Sequence, residues 1–567
     1  MQSLSFSTIS RYFSSSSLTP KLLKLKTLYK IPAKDRPKAF QQAQKVLTDY
    51  LHDTKNLPFT FADHISKNSL LSLSEIISKV DYSSKDFKGS LRRFLRYHPI
   101  DEFLFFYESI GVRYDNIIGF LPVGKMFLSE DYRVFDVACG LWGFGFPWDK
   151  LGVLCKEGVF ENDLCELNER IVGFKEYGFS NVMVIGICLA FPCLLSGKCE
   201  DIDGLFDDLK RVFVDYHLVS CVEENVDCWF EVCRKIQIFY DLGCVKGEMG
   251  EMMGRCKNIF VEYSEECLVQ KAEFFKKLDV CKKEVGYLLL YKPEILRCDL
   301  ETPSISVSGV LRYFGLEESK LRFVMENYPY VFGRNRLSNL PHVMRSLDLN
   351  KWFFYKIQDG DHNLLGRYVV GSPDEDLDQH YVDNFLSIQG SRYHVHTLGK
   401  LEFLHSLGFG ENKWTIKILN QIRGPSSDLQ ERVDCLLQCG VEFPKLCKMI
   451  HCSPKILNQQ KESIEQKIKY LCEDIGHSLE DLDVFPAYLC YNLEKRIKPR
   501  YSFHMWLTKH GLCTEEYAIP SIIATSEKNF VLRIYRMHRA APKIWLECYS
   551  NKEPRKSLGE GLIKLEP

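Results

Sequence analysis

Apolar residues along this chain fall into helical runs that end on a proline, and a second run then ends on a glycine. LLLYKPEIL at 288 to 296, VMENYPYVF at 324 to 332, MIHCSPKIL at 449 to 457 and DVFPAYL at 483 to 489 carry the first half of this unit. Proline lacks the N–H and clashes with the preceding turn, so each one stops a helix and turns the chain. The apolar pair after it, Ile295 and Leu296 or Ile456 and Leu457, can plug the bend into the core. LHSLGF, LLQCGV, LCEDIG and WLTKHGL end the second run, with Gly408, Gly440, Gly476 and Gly511 lying 32, 36 and 35 residues apart. Glycine takes the left-handed conformation that closes a helix. Pro293 and Pro329 are 36 apart and Pro454 and Pro486 are 32 apart, so both residues mark one period, half a unit out of step. A fixed period of this size is the signature of stacked repeats, and it predicts an all-α helical-repeat solenoid with these four prolines at equivalent bends.

Weaker copies lie earlier, at 91 to 112, 143 to 154 and 178 to 195, and the 242 to 275 copy has Lys257 where the proline would fall. The expected organisation is a leader over 1–34, a helical lead-in and linker over 35–90, and repeats over 91–349. Residues 350–398 show no clear helical phase, which predicts an insertion or a divergent repeat. Further repeats over 399–515 and a cap and tail over 516–567 complete the chain.

Residues 1 to 34 contain no Asp or Glu, carry Arg11, Lys21, Lys24, Lys26, Lys30 and Lys34, and place eight serines among the first seventeen positions. That is the composition of an organellar transit peptide. RYFSSSS resembles a mitochondrial processing site with cleavage before Ser14, and mitochondrion is favoured over plastid. No apolar run is long enough to span a bilayer.

The 22 cysteines include no C-x-x-C pair, so neither zinc nor another metal is expected and nearly all read as core packing. No phosphate-binding loop, H-E-x-x-H or G-x-S-x-G is present, so neither an enzyme nor a cofactor is expected. The net charge of −1 hides an uneven distribution: 17 Lys and Arg against 7 Asp and Glu over 1–100, 43 against 60 over 101–490, and 13 against 6 over 491–556.

The basic groups are the candidate chemistry. Lys495, Arg496, Lys498 and Arg500 fall within six positions, Arg533, Arg536 and Arg539 follow at three-residue spacing, and Arg92, Arg93 and Arg96 form a smaller group. Clustered cations neutralise phosphates and release counterions, which gives affinity with little sequence reading.

FPAYLCYNLEKRIKPRY at 485 to 501 resembles the C-terminal signature of the mTERF family, the mitochondrial transcription termination factors, and HPIDEFLFFYESIGV resembles the opening repeat of its plant members. The resemblance covers about residues 90 to 515. It implies a left-handed superhelix of helical triplets whose concave face is positive and holds nucleic acid. It also implies work in organellar transcription termination or regulation, or in RNA processing and intron splicing. The expected partner is double-stranded DNA or RNA of the organelle, with other organellar gene-expression proteins as further partners, bound by a monomer. The acidic middle departs from that picture. Either the acids lie on the convex side, or binding is confined to the basic ends, or the middle serves as a scaffold for basic proteins.

Overall fold

The computed structural model describes residues 31–82, 86–513 and 517–548, so the leader and its cleavage site lie almost wholly outside the described residues, as does the tail from 549. Two compact units are present, Met1–Val269 and Gln270–Pro567. Helix dominates both. Among the described residues the one sheet is a pair of three-residue antiparallel strands, Ser304–Ser306 and Arg334–Arg336, with Ile305 opposite Asn335. Residues 350–398 fall inside the second unit and contain the helices Asn350–Asp359, Leu364–Arg367 and Gln379–Gln389, so a segment without a clear helical phase in sequence is nonetheless largely helical.

The prolines occupy equivalent bends. The residue before each has φ between −119° and −142° and ψ between 47° and 72°, at Phe191, Lys292, Tyr328, Ser453 and Phe485. Proline denies its predecessor the helical region, which ends each helix at this point. The amide two residues after the proline then donates to the carbonyl before it: Leu194 to Phe191, Ile295 to Lys292, Val331 to Tyr328, Ile456 to Ser453 and Tyr488 to Phe485, all at 3.1 Å. Short 3-10 helices, Pro293–Arg297, Pro454–Asn458 and Pro486–Cys490, follow three of these prolines. After Pro329 the chain instead runs on to the strand Arg334–Arg336. The same turn persists where no proline marks it, with Ile259 bonded to Cys256 and Gln421 to Ile418, so Lys257 and Leu419 stand at proline positions.

A cationic side chain ties most of these turns to an earlier helix, while at Pro329 the Phe332 carbonyl instead accepts from Asn412 Nδ2 at 2.6 Å. Arg432 Nη1 donates to the Leu457 carbonyl at 2.6 Å, Lys467 Nζ to Leu489 at 2.7 Å, Lys235 Nζ to Phe260 at 2.9 Å and Lys400 Nζ to Ile422 at 3.3 Å. Arg170 makes the same bond to Leu195. Every one of these carbonyls lies three residues past the proline position. Lys271 makes a shifted version of the bond, to the carbonyl of Cys298. A 3-10 turn leaves its last carbonyls without intrahelical donors, and a buried unpaired carbonyl is costly. The long side chain spans to it and satisfies it.

The helix that carries the cation ends on glycine as expected. Gly408 and Gly440 have φ of 93° and 94°, and the next residue's amide reaches back five positions, Phe409 to the Leu404 carbonyl and Val441 to Leu436. This is the Schellman closure. At Gly408 a Cβ would also lie 2.9 Å from the His342 carbonyl carbon, so helix packing admits only glycine there. His342 itself stacks on Phe443 with ring centroids 5.5 Å apart. Burial, with Lys277 and Arg345 adding like charge, pushes its pKa down to about 4.

Two predictions follow from this packing. Lys467→Met should lower the unfolding free energy by about 2 to 3 kcal/mol, because the Leu489 carbonyl loses a charged donor while buried. Lys455→Met, at an exposed position with no such bond, should stay within about 0.5 kcal/mol. Urea denaturation of the full chain measures both, and equal midpoints would contradict the tie. The second concerns pH. An unfolded His342 takes up a proton near pH 6.5 while the folded one resists until about 4, so stability should fall as pH drops through that window. His342→Gln should flatten the fall, and an unchanged pH profile of the melting temperature would contradict it.

Candidate nucleic-acid interface

The structure separates the basic residues expected to act together. Arg500 is 2% exposed. Its guanidinium donates to the carbonyls of Ile522, Ile523 and Thr525 at 3.3, 3.1 and 2.6 Å, pairs with Glu527 at 2.7 Å and lies over the Phe530 ring. Arg496 donates to Ile523 at 2.9 Å and to Ala524 and Thr525. Ile523 ends the short helix Ile519–Ile523, so both arginines bond carbonyls at the end of that helix, as the cations above bond the ends of the proline turns. The expectation that they reach phosphates is therefore corrected for Arg500, and for Arg496 most of the donor capacity is spent inside the fold. The helical spacing that groups Arg496 with Arg500 also turns both toward the next turn of the chain.

The remaining members of the expected groups are at the surface. Lys495 is exposed, and Lys498 pairs with Glu494 at 2.5 Å. Arg536 and Arg539 are exposed, while Arg533 donates to the Ser521 carbonyl and lies over the Tyr517 ring. Arg533 and Arg536 line a cleft of about 610 Å³ together with Thr525, Asn529, Leu532 and Met537. In the first unit, Arg92 pairs with Asp49 at 2.6 Å and Arg93 with Asp86 at 2.9 Å, and Arg96 is exposed. Exposed ion pairs of this kind are worth little, so a phosphate can replace the carboxylate at small cost.

A second basic group, missed in the sequence, gathers around Trp414. Lys413 and Lys417 place their ammonium groups 5.5 and 5.2 Å from the centre of its ring, and both are exposed. His451 meets the same ring edge-on at 5.2 Å and stacks on Tyr330 at 4.7 Å. Lys448, on the same helix as His451, sits 4.4 Å from the Tyr328 ring. Burial and the Lys417 charge push His451 down, so the imidazole adds no positive charge at neutral pH. Three lysines, from the helices Lys413–Leu419 and Phe443–Cys452, thus lie against aromatic faces, Lys413 and Lys417 exposed and Lys448 half-buried. Asp376, Asp378 and Glu411 line a cleft of about 610 Å³ together with Lys413 and Trp414, so acidic side chains border the group. The spacing K-W-x-x-K was visible in the sequence as a helical pair flanking an aromatic. The meeting of Lys448 with Tyr328, 120 residues apart, was not.

Comparison with known proteins sets these geometries in context. The sequence model of the mTERF family matches residues 216–338 and 396–531, which includes the Trp414 group and Lys495 to Arg500 but not Arg533 to Arg539. The chain is 47% identical over 531 residues to "Transcription termination factor MTEF18, mitochondrial" of Arabidopsis thaliana, across 93% of this chain and 95% of that protein. The chain belongs to the mTERF family. Two other members match over shorter stretches. The Arabidopsis thaliana transcription termination factor MTERF8, chloroplastic, is 36% identical over 104 residues, 18% of this chain and 21% of its own. MTERF15, mitochondrial, of the same organism, is 28% identical over 138 residues, 24% of this chain and 31% of its own. Between them the two matched blocks leave out 339–395, which overlaps the stretch 350–398 that lacks a clear helical phase in sequence.

The Trp414 group gives the third prediction. Replacing Lys413, Lys417 and Lys448 together with Ala should flatten the dependence of log affinity on log salt by roughly 2 to 3 units, since each phosphate contact contributes about 0.7 to 0.9. The loss should be alike on all sequences. Fluorescence anisotropy with labelled duplex and single strands across a salt series measures it, and an unchanged slope would remove these lysines from the interface.

Proposed function

We propose that this mTERF protein binds organellar nucleic acid and acts in the termination or regulation of mitochondrial transcription. The observation that carries this reading is the 47% identity to a mitochondrial transcription termination factor across nearly the full length of both chains. The acid-free, serine-rich leader supports a mitochondrial address, and no helix among the described residues is long and apolar enough to cross a membrane.

The geometry supports a division of labour. Lys413, Lys417 and Lys448, joined by Lys495, Lys498, Arg536 and Arg539 of the same unit, contact phosphates, while Arg496 and Arg500 hold the last turn in place. Arg92, Arg93 and Arg96 supply a separate basic surface in the first unit. Cations that neutralise phosphates give positioning, and base reading is a smaller part of such an interface. Binding as a monomer suits a repeat protein, in which each unit is completed by its neighbours in the same chain.

The test is crosslinking of the tagged protein in isolated mitochondria, with sequencing of the attached nucleic acid and mapping of transcript ends. The expected result is a discrete set of DNA sites whose downstream transcripts lengthen when the protein is depleted. Recovery of intron RNA with unspliced transcripts on depletion would move the activity to splicing. Recovery of basic proteins without nucleic acid would replace it with the scaffold reading.

A further inference from the structure

Most cysteines of the first unit are packing residues. Cys188 and Cys233 are fully buried, and burial pushes their thiols up and out of the reactive range. Cys193 and Cys199 differ. Both are half-buried and close enough for each thiol to shift the other, the Cys199 sulfur lies 3.6 Å from the Glu200 carbonyl, and the Lys246 ammonium lies 3.6 Å from the Cys199 sulfur.

The fold brings them together for reasons of its own. Cys193 opens the short helix Cys193–Ser196 directly after Pro192, and the chain reverses through Gly197 at φ 73°. Lys198 N–H closes the turn on the Cys193 carbonyl at 3.1 Å, which returns residue 199 to the side of residue 193. Lys246 arrives from the segment after the helix Val226–Asp241 and is fixed there by a 2.8 Å bond to the Glu200 carbonyl. The neighbouring Cys193 thiol, aided by the Lys246 charge and opposed by burial and Asp201, pulls the Cys199 thiol pKa down to about 6. The Cys199 neighbour and burial push Cys193 the other way, up.

We propose that Cys193 and Cys199 form a peroxide-reactive dithiol, with Cys199 as the attacking sulfur and Cys193 as the thiol that resolves it. Hydroperoxides are the substrate class. The Cys199 thiolate attacks the terminal peroxide oxygen, the O–O bond breaks, and the departing hydroxide or alkoxide takes a proton to leave as water or alcohol. The sulfenic acid on Cys199 is then displaced by the Cys193 sulfur, an S–S bond forms, and the sulfenic oxygen leaves as water with the thiol proton. Two electrons pass from the two sulfurs to the peroxide. A thiolate held beside an ammonium and next to a second thiol is the arrangement that favours both steps. The site lies on the turn whose Leu195 carbonyl is tied by Arg170, and Lys246 connects it to the following repeat, so the oxidised form alters a junction between repeats.

The experiment uses the reduced full chain and equimolar hydrogen peroxide, with timed alkylation and peptide mass spectrometry. Cys199 should be consumed on the order of tenfold faster than exposed Cys165 or Cys281, as expected for a thiolate against ordinary thiols. The product should be a Cys193–Cys199 disulfide, lighter by two hydrogens and restored by dithiothreitol. Cys193→Ser should stop at a sulfenic acid on Cys199 that dimedone traps, and Cys199→Ser should leave Cys193 unreactive. Lys246→Met, with an unchanged circular dichroism spectrum, should slow the consumption of Cys199 several-fold. Consumption of Cys199 no faster than of Cys165, or disulfides scattered among other cysteines, would overturn the proposal. None of these readouts involves nucleic acid.

Discussion

The bond from a buried cation to the last carbonyl of the next proline turn is the interaction on which the rest of this structure depends. A solenoid has no single core, so each repeat must be fastened to its neighbour. Apolar pairs such as Ile456 and Leu457 supply the contact area, but area alone does not fix the register of one turn against the next helix. A directional bond does. Lys235, Lys271, Lys467 and Arg500 are the buried lysines and arginines among the described residues, and each donates to a backbone carbonyl further along the chain: Lys235 and Lys467 in this position, Lys271 in a shifted one and Arg500 at the end of the helix Ile519–Ile523. A buried charge without partners would be strongly unfavourable, so its presence at the same place in successive repeats reflects the carbonyl it meets. For Lys467 the cost is visible, since burial lowers its pKa while the Leu489 carbonyl and the Gln459 side chain at 3.1 Å compensate.

This constraint changes how the charge along the chain is to be read. A lysine or arginine in these repeats either turns inward to a backbone carbonyl or faces solvent, and residue type does not say which. Arg432 and Lys467 turn inward to backbone carbonyls. Lys413 and Lys417, held by Trp414, face solvent. Counting Lys and Arg against Asp and Glu overstates the cationic surface wherever the ties are frequent. The Trp414 group shows that the acidic middle of the chain still contains a local positive edge, bordered by Asp376, Asp378 and Glu411.

The fold was largely legible in the sequence because its punctuation acts on the backbone. Pro293, Pro329, Pro454 and Pro486 constrain their own turns and their predecessors, and Gly408 and Gly440 adopt the left-handed conformation that their positions demand. No tertiary information is needed for either. Where the mark is absent, as at Lys257 and Leu419, the turn survives through the tie and the packing, which no local pattern reveals. The candidate site was less legible for the same reason. Arg496 and Arg500 look alike to Lys495 and Lys498 along the chain, and the tertiary partner at Ile523 separates them. Lys448 meets Tyr328 only through the stacking of helices far apart in sequence.

The central claim is that the repeat-borne cations divide into ties and phosphate contacts, and the Arg500→Met variant tests it most directly. The full-length variant is compared with the parent chain in two measurements on one preparation: the urea midpoint, and the slope of log affinity against log salt on duplex DNA below that midpoint. A tie predicts a loss of about 2 to 3 kcal/mol of stability, because the Ile522, Ile523 and Thr525 carbonyls lose a charged donor while Glu527 stays exposed, with the salt slope unchanged. A flattening by about 0.9 with the urea midpoint unmoved would place Arg500 on a phosphate and contradict the account.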